Sequence, residues 1–442
     1  MPATDPIVPQ GGDALSRRSV LKGLGLGAAG VAALPVLAAC SGGSSGGGGG
    51  DGSGSKKTTL GSSGSDAVPK KAIAAMVTAF EKKSGDTVKI NTVAHNDFQE
   101  KINSYLNGSP DDAFTWFAGY RMRYYAAKGL VEPLDDVWDK LGADSFGPGI
   151  VKASTADDGK KYFVPNYNYP WAIFYRKSVW QAKGYEIPQT FDALKTLAAQ
   201  MKKDGLIPIS FGDKDGWPAM GTFDYLNMRL NGYQFHVDLM AHKEGWDDPK
   251  VAAVFDNWKA LLPFQDSAAL GLTWQESAQK IATKKAGMYL LGSFVTQQFT
   301  DKATLADVDF FPFPTLTEAN GQDALEAPID GFMISKKGGK NQAAKDLLAF
   351  LGTPEAQNAY AKVDPSNVAT NLKADFTSLN AIQKKAQETI AKAKQISQFL
   401  DRDALPAFAS NVMIPALQTF LKSGEFNTAN VEKQAKALYA SE

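Results

Sequence analysis

Between Ser41 and Ser55, 14 of 15 residues are Gly or Ser. A stretch of that composition has no apolar side chains to bury and stays flexible. Its root-mean-square reach is on the order of 20 Å, from about 5–6 Å times the square root of length. The folded body must therefore come from the residues beyond it. The chain has 442 residues, 44% apolar and 21% charged, which supplies a sizeable core. At a soft prior of about 150 residues per domain, two or three domains are expected. Lys plus Arg and Asp plus Glu both total 47, so the formal charge is zero. That balance argues against nucleic acid as a partner, because phosphates require a basic surface.

Upstream of the tether, Ser16 to Lys22 (SRRSVLK) places Arg17 and Arg18 before an uncharged stretch, Gly23 to Ala39. This is the arrangement of a twin-arginine export signal, with Val20 where Phe is common. The stretch holds several glycines and Pro35, so it makes a poor permanent membrane helix, which wants about 20 strongly apolar residues. Leu37-Ala38-Ala39-Cys40-Ser41 resembles a bacterial lipobox, in which the chain is cut before the cysteine and the sulfur is acylated. Cys40 is the single cysteine, which rules out an intramolecular disulfide and a Cys-based zinc site. The expected layout is a twin-arginine lipoprotein signal peptide over 1–39 and a lipidated cysteine with its tether over 40–57. The protein would then be held on the extracytoplasmic face of the cell membrane. Gly25 to Gly30 matches the dinucleotide pattern G-x-G-x-x-G, but it follows a basic leader and not a strand, so no cofactor is expected.

From Val68 onward, helix and strand patterns alternate. Ile73, Met76, Val77 and Phe80 share a helical face that ends at Gly85; Val88, Ile90 and Thr92 alternate as a strand. Phe98, Ile102, Tyr105 and Leu106 mark a helix capped by Asn96 or Asp97. Ala113 to Phe117 reads as a buried strand, and Thr190 caps a helix ending near Gly205. Strands separated by helices of 10–15 residues argue for an α/β fold with largely parallel sheets. No second linker cuts the chain, so it forms lobes joined by structured crossovers. Pro165 and Pro170, and Pro312 and Pro314, mark two candidate connections between lobes.

No P-loop, nucleophile elbow or zinc-protease helix is present, and no catalytic residue is expected. His95, His236 and His242 are the only histidines; they read as ordinary surface or hydrogen-bonded residues, and no metal site is expected. What stands out is a set of aromatic and polar clusters in turn-like places, where α/β sheets gather ligands. They surround Trp116, Asn166 to Trp171 (including Tyr169), Asp213 to Trp217, Gly292-Ser293-Phe294, Asp330-Gly331 and Asp401-Arg402. Sugars fit that composition, since their C–H faces stack on rings and their hydroxyls bond to charged and amide groups.

Over nearly all of the mature length the chain resembles the bacterial extracellular solute-binding proteins of family 1. The resemblance runs through TWFAGYRMRYYAAKGLVEPLDD (Thr115 to Asp136), GKKYFVPNYNYPWAIFYRKSVW (Gly159 to Trp180) and GDKDGWPAMGTFDYL (Gly212 to Leu226). It continues in KKAGMYLLGSF (Lys284 to Phe294), TPEAQNAY (Thr353 to Tyr360) and SQFLDRDALPAF (Ser397 to Phe408). It implies a two-lobe periplasmic-binding-protein-like fold with a hinge and a ligand cleft between lobes. Lobe 1 would be 58–165 plus 337–364 and lobe 2 would be 166–336 plus 366–442. It implies a monomeric lipoprotein that captures a carbohydrate, expected to be a di- or oligosaccharide, and delivers it to the permease subunits of an ABC importer. It also implies cleft positions at Trp116, Asn166, Tyr169, Trp171, Asp213, Trp217, Gly292, Ser293, Phe294, Asp330, Gly331, Asp401 and Arg402. A secreted carbohydrate-active enzyme is the alternative, as is a same-fold receptor for a polyamine or glycerol phosphodiester.

Overall fold

The computed structural model describes residues 56–142, 144–299 and 301–441. Arg17, Arg18, Cys40 and the Gly/Ser tract lie outside the described residues. The strands in chain order are β1 (Lys57–Ser62), β2 (Thr87–Thr92), β3 (Ala113–Phe117), β4 (Val164–Asn168), β5 (Trp171–Arg176) and β6 (Ile207–Ile209). Then come β7 (Ala286–Gly292), β8 (Val308–Phe311), β9 (Ala324–Glu326), β10 (Ile329–Ile334), β11 (Val368–Ala369) and β12 (Gln395–Ser397). They form a six-stranded sheet in the order β11-β4-β10-β3-β1-β2, a four-stranded sheet in the order β6-β7-β5-β8, and the pair β12-β9.

Local sequence explains the first elements. Helix α1 (Ala67–Ser84) buries Ala72, Ile73, Met76, Val77 and Phe80 along one stripe. It stops at Gly85, whose φ of 78° is the left-handed conformation that closes helices and that glycine adopts without strain. Helix α2 (His95–Asn107) buries Phe98, Ile102 and Leu106. It begins at His95, so Asn96 and Asp97 lie in its first turn and are not its cap. Thr190 does cap its helix, accepting the Ala193 N–H.

The sheets are mixed, contrary to the expectation of largely parallel ones. β1 runs parallel to β2 and β3, and β6 to β7, but β10 is antiparallel to both β3 and β4, and β5 to both β7 and β8. The reason is that the chain crosses between sheets. Only Tyr169 and Pro170 separate β4 from β5, which belong to different sheets. Ala327 and Pro328 lead back from β9 to β10. A strand arriving by such a crossing need not keep the direction that a helical crossover imposes. The second crossing is thus at Pro328; Pro312 and Pro314 follow β8 and stay beside the four-stranded sheet, where Thr315 bridges Thr190.

Sheet pairing also sorts segments differently from the expected lobe boundaries. Asn166 to Asn168, all of β10, and β11 pair into the six-stranded sheet, whereas the expected boundaries place 166–336 and 366–442 in the other lobe. Each sheet has its own core. In the six-stranded sheet, Leu60, Ala113, Phe332 and Ile334 pack on one face, and Phe114, Trp116 and Met333 on the other, following the strand period of two. β5 and β7 are buried along their whole length, as expected of strands covered on both faces.

Candidate functional site

A cavity of about 500 Å³ opens between the two sheets, within the usual range for small-molecule sites. On one side it is walled by the loop after β1 (Ser63 to Asp66), the start of α2, the ends of β3 and β4, and β10. Asp215, Trp217, Trp274, Gln275 and Phe294 line the other side, with the segment Phe399 to Arg402. These are loops at strand ends and helix starts, held in place by the sheets behind them.

Arg402 is the polar centre. It lies in the short helix Leu400–Asp403, which is anchored by the Leu400 N–H donating to Asp224 Oδ2 at 2.8 Å. Its Nη1 donates to Asp330 Oδ2 at 3.0 Å and its Nη2 to the Tyr169 hydroxyl at 3.0 Å. The guanidinium carbon lies 4.0 Å from the centre of the Phe117 ring, a cation–π contact. Burial opposes the charge on Arg402, but Asp330, Tyr169 and Asp401 outweigh it and hold the guanidinium protonated. Burial likewise pushes the Asp330 carboxyl up, against the pull of Arg402. Asp330 is aimed by its backbone: the pairing of β10 with β4 shifts register between Asp330 and Gly331, a bulge that redirects a side chain. Gly331 is required there, because a Cβ would stand 2.1 Å from the Val164 carbonyl oxygen.

Aromatic rings flank this centre. Trp171 is 2% exposed and lies 4.7 Å from Phe399 at 31° between ring planes. Trp217 and Phe294 are half-buried, with ring centres 6.1 Å apart. Trp274 meets Phe294 edge-on at 5.0 Å. At the mouth, Gln275 donates across to the Asp66 carboxylate at 3.4 Å. Buried polar atoms of three lining residues have no hydrogen-bond partner, Trp116 Nε1, Asn166 Oδ1 and Asn367 Oδ1, while Asp401 Oδ1 and Arg402 Nε face each other as an ion pair at 3.9 Å. Buried polar atoms are costly to leave unpaired. One donor and two acceptors around one cavity, beside the Asp401–Arg402 pair, suit a ligand that both donates and accepts.

Of the residues expected in the cleft, Trp116, Asn166, Tyr169, Trp171, Trp217, Phe294, Asp330, Gly331, Asp401 and Arg402 line this cavity. Asp213, Gly292 and Ser293 do not, and each has a structural role instead. Asp213 Oδ1 accepts the Ala219 N–H at 2.8 Å near the start of the helix Pro218–Asn231, and burial pushes its carboxyl up to about 7. Gly292 leaves room for rings, since a Cβ would meet Phe294 at 2.3 Å and Tyr169 at 2.9 Å. Ser293 donates to the Ser366 carbonyl at 2.6 Å.

Ser63 to Asp66, His95, Gln99, Trp274, Gln275, Gln297, Tyr360 and Asn367 also line the cavity without any turn-like aromatic cluster to mark them, and Phe399 lines it beside the expected Asp401-Arg402. Ser63 to Asp66 and His95 follow the carboxyl ends of β1 and β2, and the strand-end rule already applied elsewhere would have found them. His95 is hydrogen-bonded, as expected of the histidines, and it also lines the cavity. His236 is fully buried, with its ring hydrogen-bonded to Asn227, and His242 faces Glu432.

Residues 64–358 match the family described as bacterial extracellular solute-binding protein. The chain is 27% identical over 305 residues to an uncharacterized ABC transporter extracellular-binding protein of Pyrococcus horikoshii, covering 67% of this chain and 68% of that one. It is 25% identical over 306 residues to the alpha-glucosides-binding periplasmic protein AglE of Rhizobium meliloti, covering 64% and 65%. Among solved structures it superposes on the bacterial solute receptor AcbH with a TM-score of 0.84 at 44% identity, covering 88% of this chain and 99% of that one. AcbH is described as having an exclusive preference for β-D-galactopyranose.

Proposed function

Because this chain belongs to the bacterial extracellular solute-binding proteins, we propose that it captures a pyranose sugar in the cavity around Arg402 and presents it to an ABC importer. The observation that carries this reading is the convergence of the Arg402 charge cluster and the buried polar atoms of Trp116, Asn166 and Asn367 with aromatic rings around one cavity. A pyranose matches both features, with hydroxyls that donate and accept and a C–H face that stacks. The carboxylates of Asp330 and Asp401 and the Arg402 guanidinium make charge-assisted bonds to the hydroxyls. The likeness to AcbH supports a single galactose-type ring. A di- or oligosaccharide is the second reading, favoured by a cavity of about 500 Å³, which leaves room beyond one ring.

Asp66, Asp97, Asp215, Asp330 and Asp401 face the cavity with Arg402. That excess of carboxylates disfavours a phosphodiester. The protein binds and does not turn over its ligand in this reading, since the named relatives are receptors. Closure of the two lobes over the sugar is the signal the permease reads.

The test is calorimetric titration with D-galactose, D-glucose, maltose, a chitin oligosaccharide and spermidine, paired with thermal melts. D-galactose is expected to bind and raise the melting temperature by mass action. Binding of spermidine alone, or hydrolysis of a chromogenic galactoside, would overturn the proposal.

The delivery route extends this reading. Arg17 and Arg18 direct export, and Cys40 carries a lipid that holds a monomer on the extracytoplasmic face, with the Gly/Ser tract as tether. The support is the lipobox-like Leu37 to Ser41 and the tract beyond it. Cys40→Ser is expected to move the protein from the membrane fraction to the soluble fraction or to leave uncleaved precursor. Normal processing and retention of that variant in membranes would refute the anchor.

A further inference from the structure

Arg121 is 2% exposed and does not line the cavity, yet it governs a residue that does. It sits on helix α3 (Tyr120–Ala127), directly after β3. Its Nη1 donates to Gln99 Oε1 at 2.6 Å. A guanidinium can only donate, so the Gln99 carbonyl must be the group that faces Arg121. The Gln99 amide nitrogen is then left for His95, and it lies 2.7 Å from His95 Nε2. An amide N–H donates, so Nε2 must accept and the ring proton resides on Nδ1. The Ser63 backbone at the end of β1 lies beside the ring and favours a proton on it. Each link is set by the one before it, and the first is set by the chemistry of arginine.

We infer that Arg121 and Gln99 are positioning residues that hold His95 as the neutral, Nδ1-protonated tautomer in the wall of the ligand cavity. The inference rests on reading that cavity as the sugar site.

The reason for such control is next to the ring. Arg402 and Asp401 face His95 from the helix Leu400–Asp403, Arg121 faces it from α3, and Phe117 of β3 meets it edge-on at 6.2 Å. A protonated His95 would add a cation beside Arg402, whose charge bridges Asp330 and Tyr169. Its Nε2–H would also need an acceptor, and the Gln99 carbonyl is already committed to Arg121. Burial, then the charges of Arg402 and Arg121, push His95 down to about 4 against the pull of Asp401. His95 therefore stays neutral through the neutral and mildly acidic range and adds no pH dependence to sugar affinity there.

The chain has only three histidines, which makes imidazole nitrogen NMR on the whole protein decisive. In the wild type, His95 is expected as the Nδ1–H tautomer with no titration between about pH 5 and 8, where a free imidazole titrates near 6.5. An Nε2–H tautomer, or titration near 6.5, overturns the inference whatever the sugar affinity. Gln99→Glu replaces the amide donor by a carboxylate, so His95 should become a titrating cation. D-galactose affinity should then fall about tenfold for each pH unit below the new value. Arg121→Met frees Gln99 to turn and removes a nearby charge, and it should produce the same pH dependence more weakly. If Arg121→Met does not fold, the wild-type spectrum and Gln99→Glu still decide. Affinity that stays flat while His95 titrates in Gln99→Glu denies the tautomer any role in binding. An Nδ1–H tautomer in a protein that binds no sugar instead refutes the proposed function and leaves the positioning intact.

Discussion

Arg402→Met is expected to cut D-galactose affinity by roughly two to three orders of magnitude, which corresponds to about 3–4 kcal/mol. The size follows from what the side chain leaves behind. Arg402 is 7% exposed and is bonded to Asp330 and Tyr169 at 3.0 Å each. Methionine fills much of the space but donates nothing, so Asp330 loses its charged partner inside the protein. Breaking a buried pair by removing one member costs more than the pair itself contributes, because the other charge stays buried. The Asp330 carboxyl, already pushed up by burial, rises further once the guanidinium that pulls it down is gone. A carboxyl with a raised native pKa contributes stability that is complete below its unfolded pKa and is lost as pH rises through the native value. The melting temperature of Arg402→Met should therefore fall with rising pH more steeply than that of the wild type. Adding Asp330→Asn should remove much of that extra fall, and the two substitutions should be less than additive in affinity, since they share one network. Calorimetric titration and melts across pH check both. Full additivity with unchanged pH dependence would show that the two groups act separately.

Trp171→Ala and Trp217→Ala are expected to fail in different ways, although both rings line the cavity and meet edge-on with centres 6.3 Å apart. Trp171 is 2% exposed. It lies across Gly221 so closely that a Cβ there would stand 2.3 Å from the indole, and its carbonyl accepts the Tyr225 hydroxyl. Removing it opens a hole between the helix Pro218–Asn231 and Phe399, at a cost of about 3–5 kcal/mol. That is a large share of the roughly 5–15 kcal/mol by which a domain is stable, so the melting temperature should drop sharply. Trp217 is half-buried at the end of a loop. Its truncation should leave the fold nearly intact and weaken sugar binding by about 1.5–3 kcal/mol, the burial of one large apolar side chain. Differential scanning calorimetry separates the two. Equal melting temperatures for both variants would make Trp171 a ligand platform and not part of the core.

These two tryptophans have the same local signature and different tertiary roles. Trp171 stands between Pro170 and a strand, and Trp217 between Gly216 and Pro218, so both look like turn aromatics. Only Gly221, 50 positions beyond Trp171, turns one of them into core, because helix and strand must approach there to close packing. Asp213 went astray for a related reason. A carboxylate in a glycine-bounded turn after a strand is equally suited to a ligand and to the helix that follows, and the Ala219 N–H took it.

What the sequence alone determined was local. The stripe of Ile73, Met76, Val77 and Phe80, the stop at Gly85 and the Thr190 cap depend on neighbours a few residues away, and the backbone acts on them directly. The aromatic and acidic clusters around Asn166 to Trp171 and Asp401-Arg402 were legible because turn residues bound them. The direction of β10, its insertion between β3 and β4, and the membership of each lobe depend on where the chain crosses, which no periodicity records. The site's chemistry belongs to the same class. Arg402 meets Asp330 across 72 positions, and Arg121 reaches Gln99 across 22. Those partners are chosen by the packing of separate sheets and helices, since a buried charge must find its counterpart in space and not along the chain.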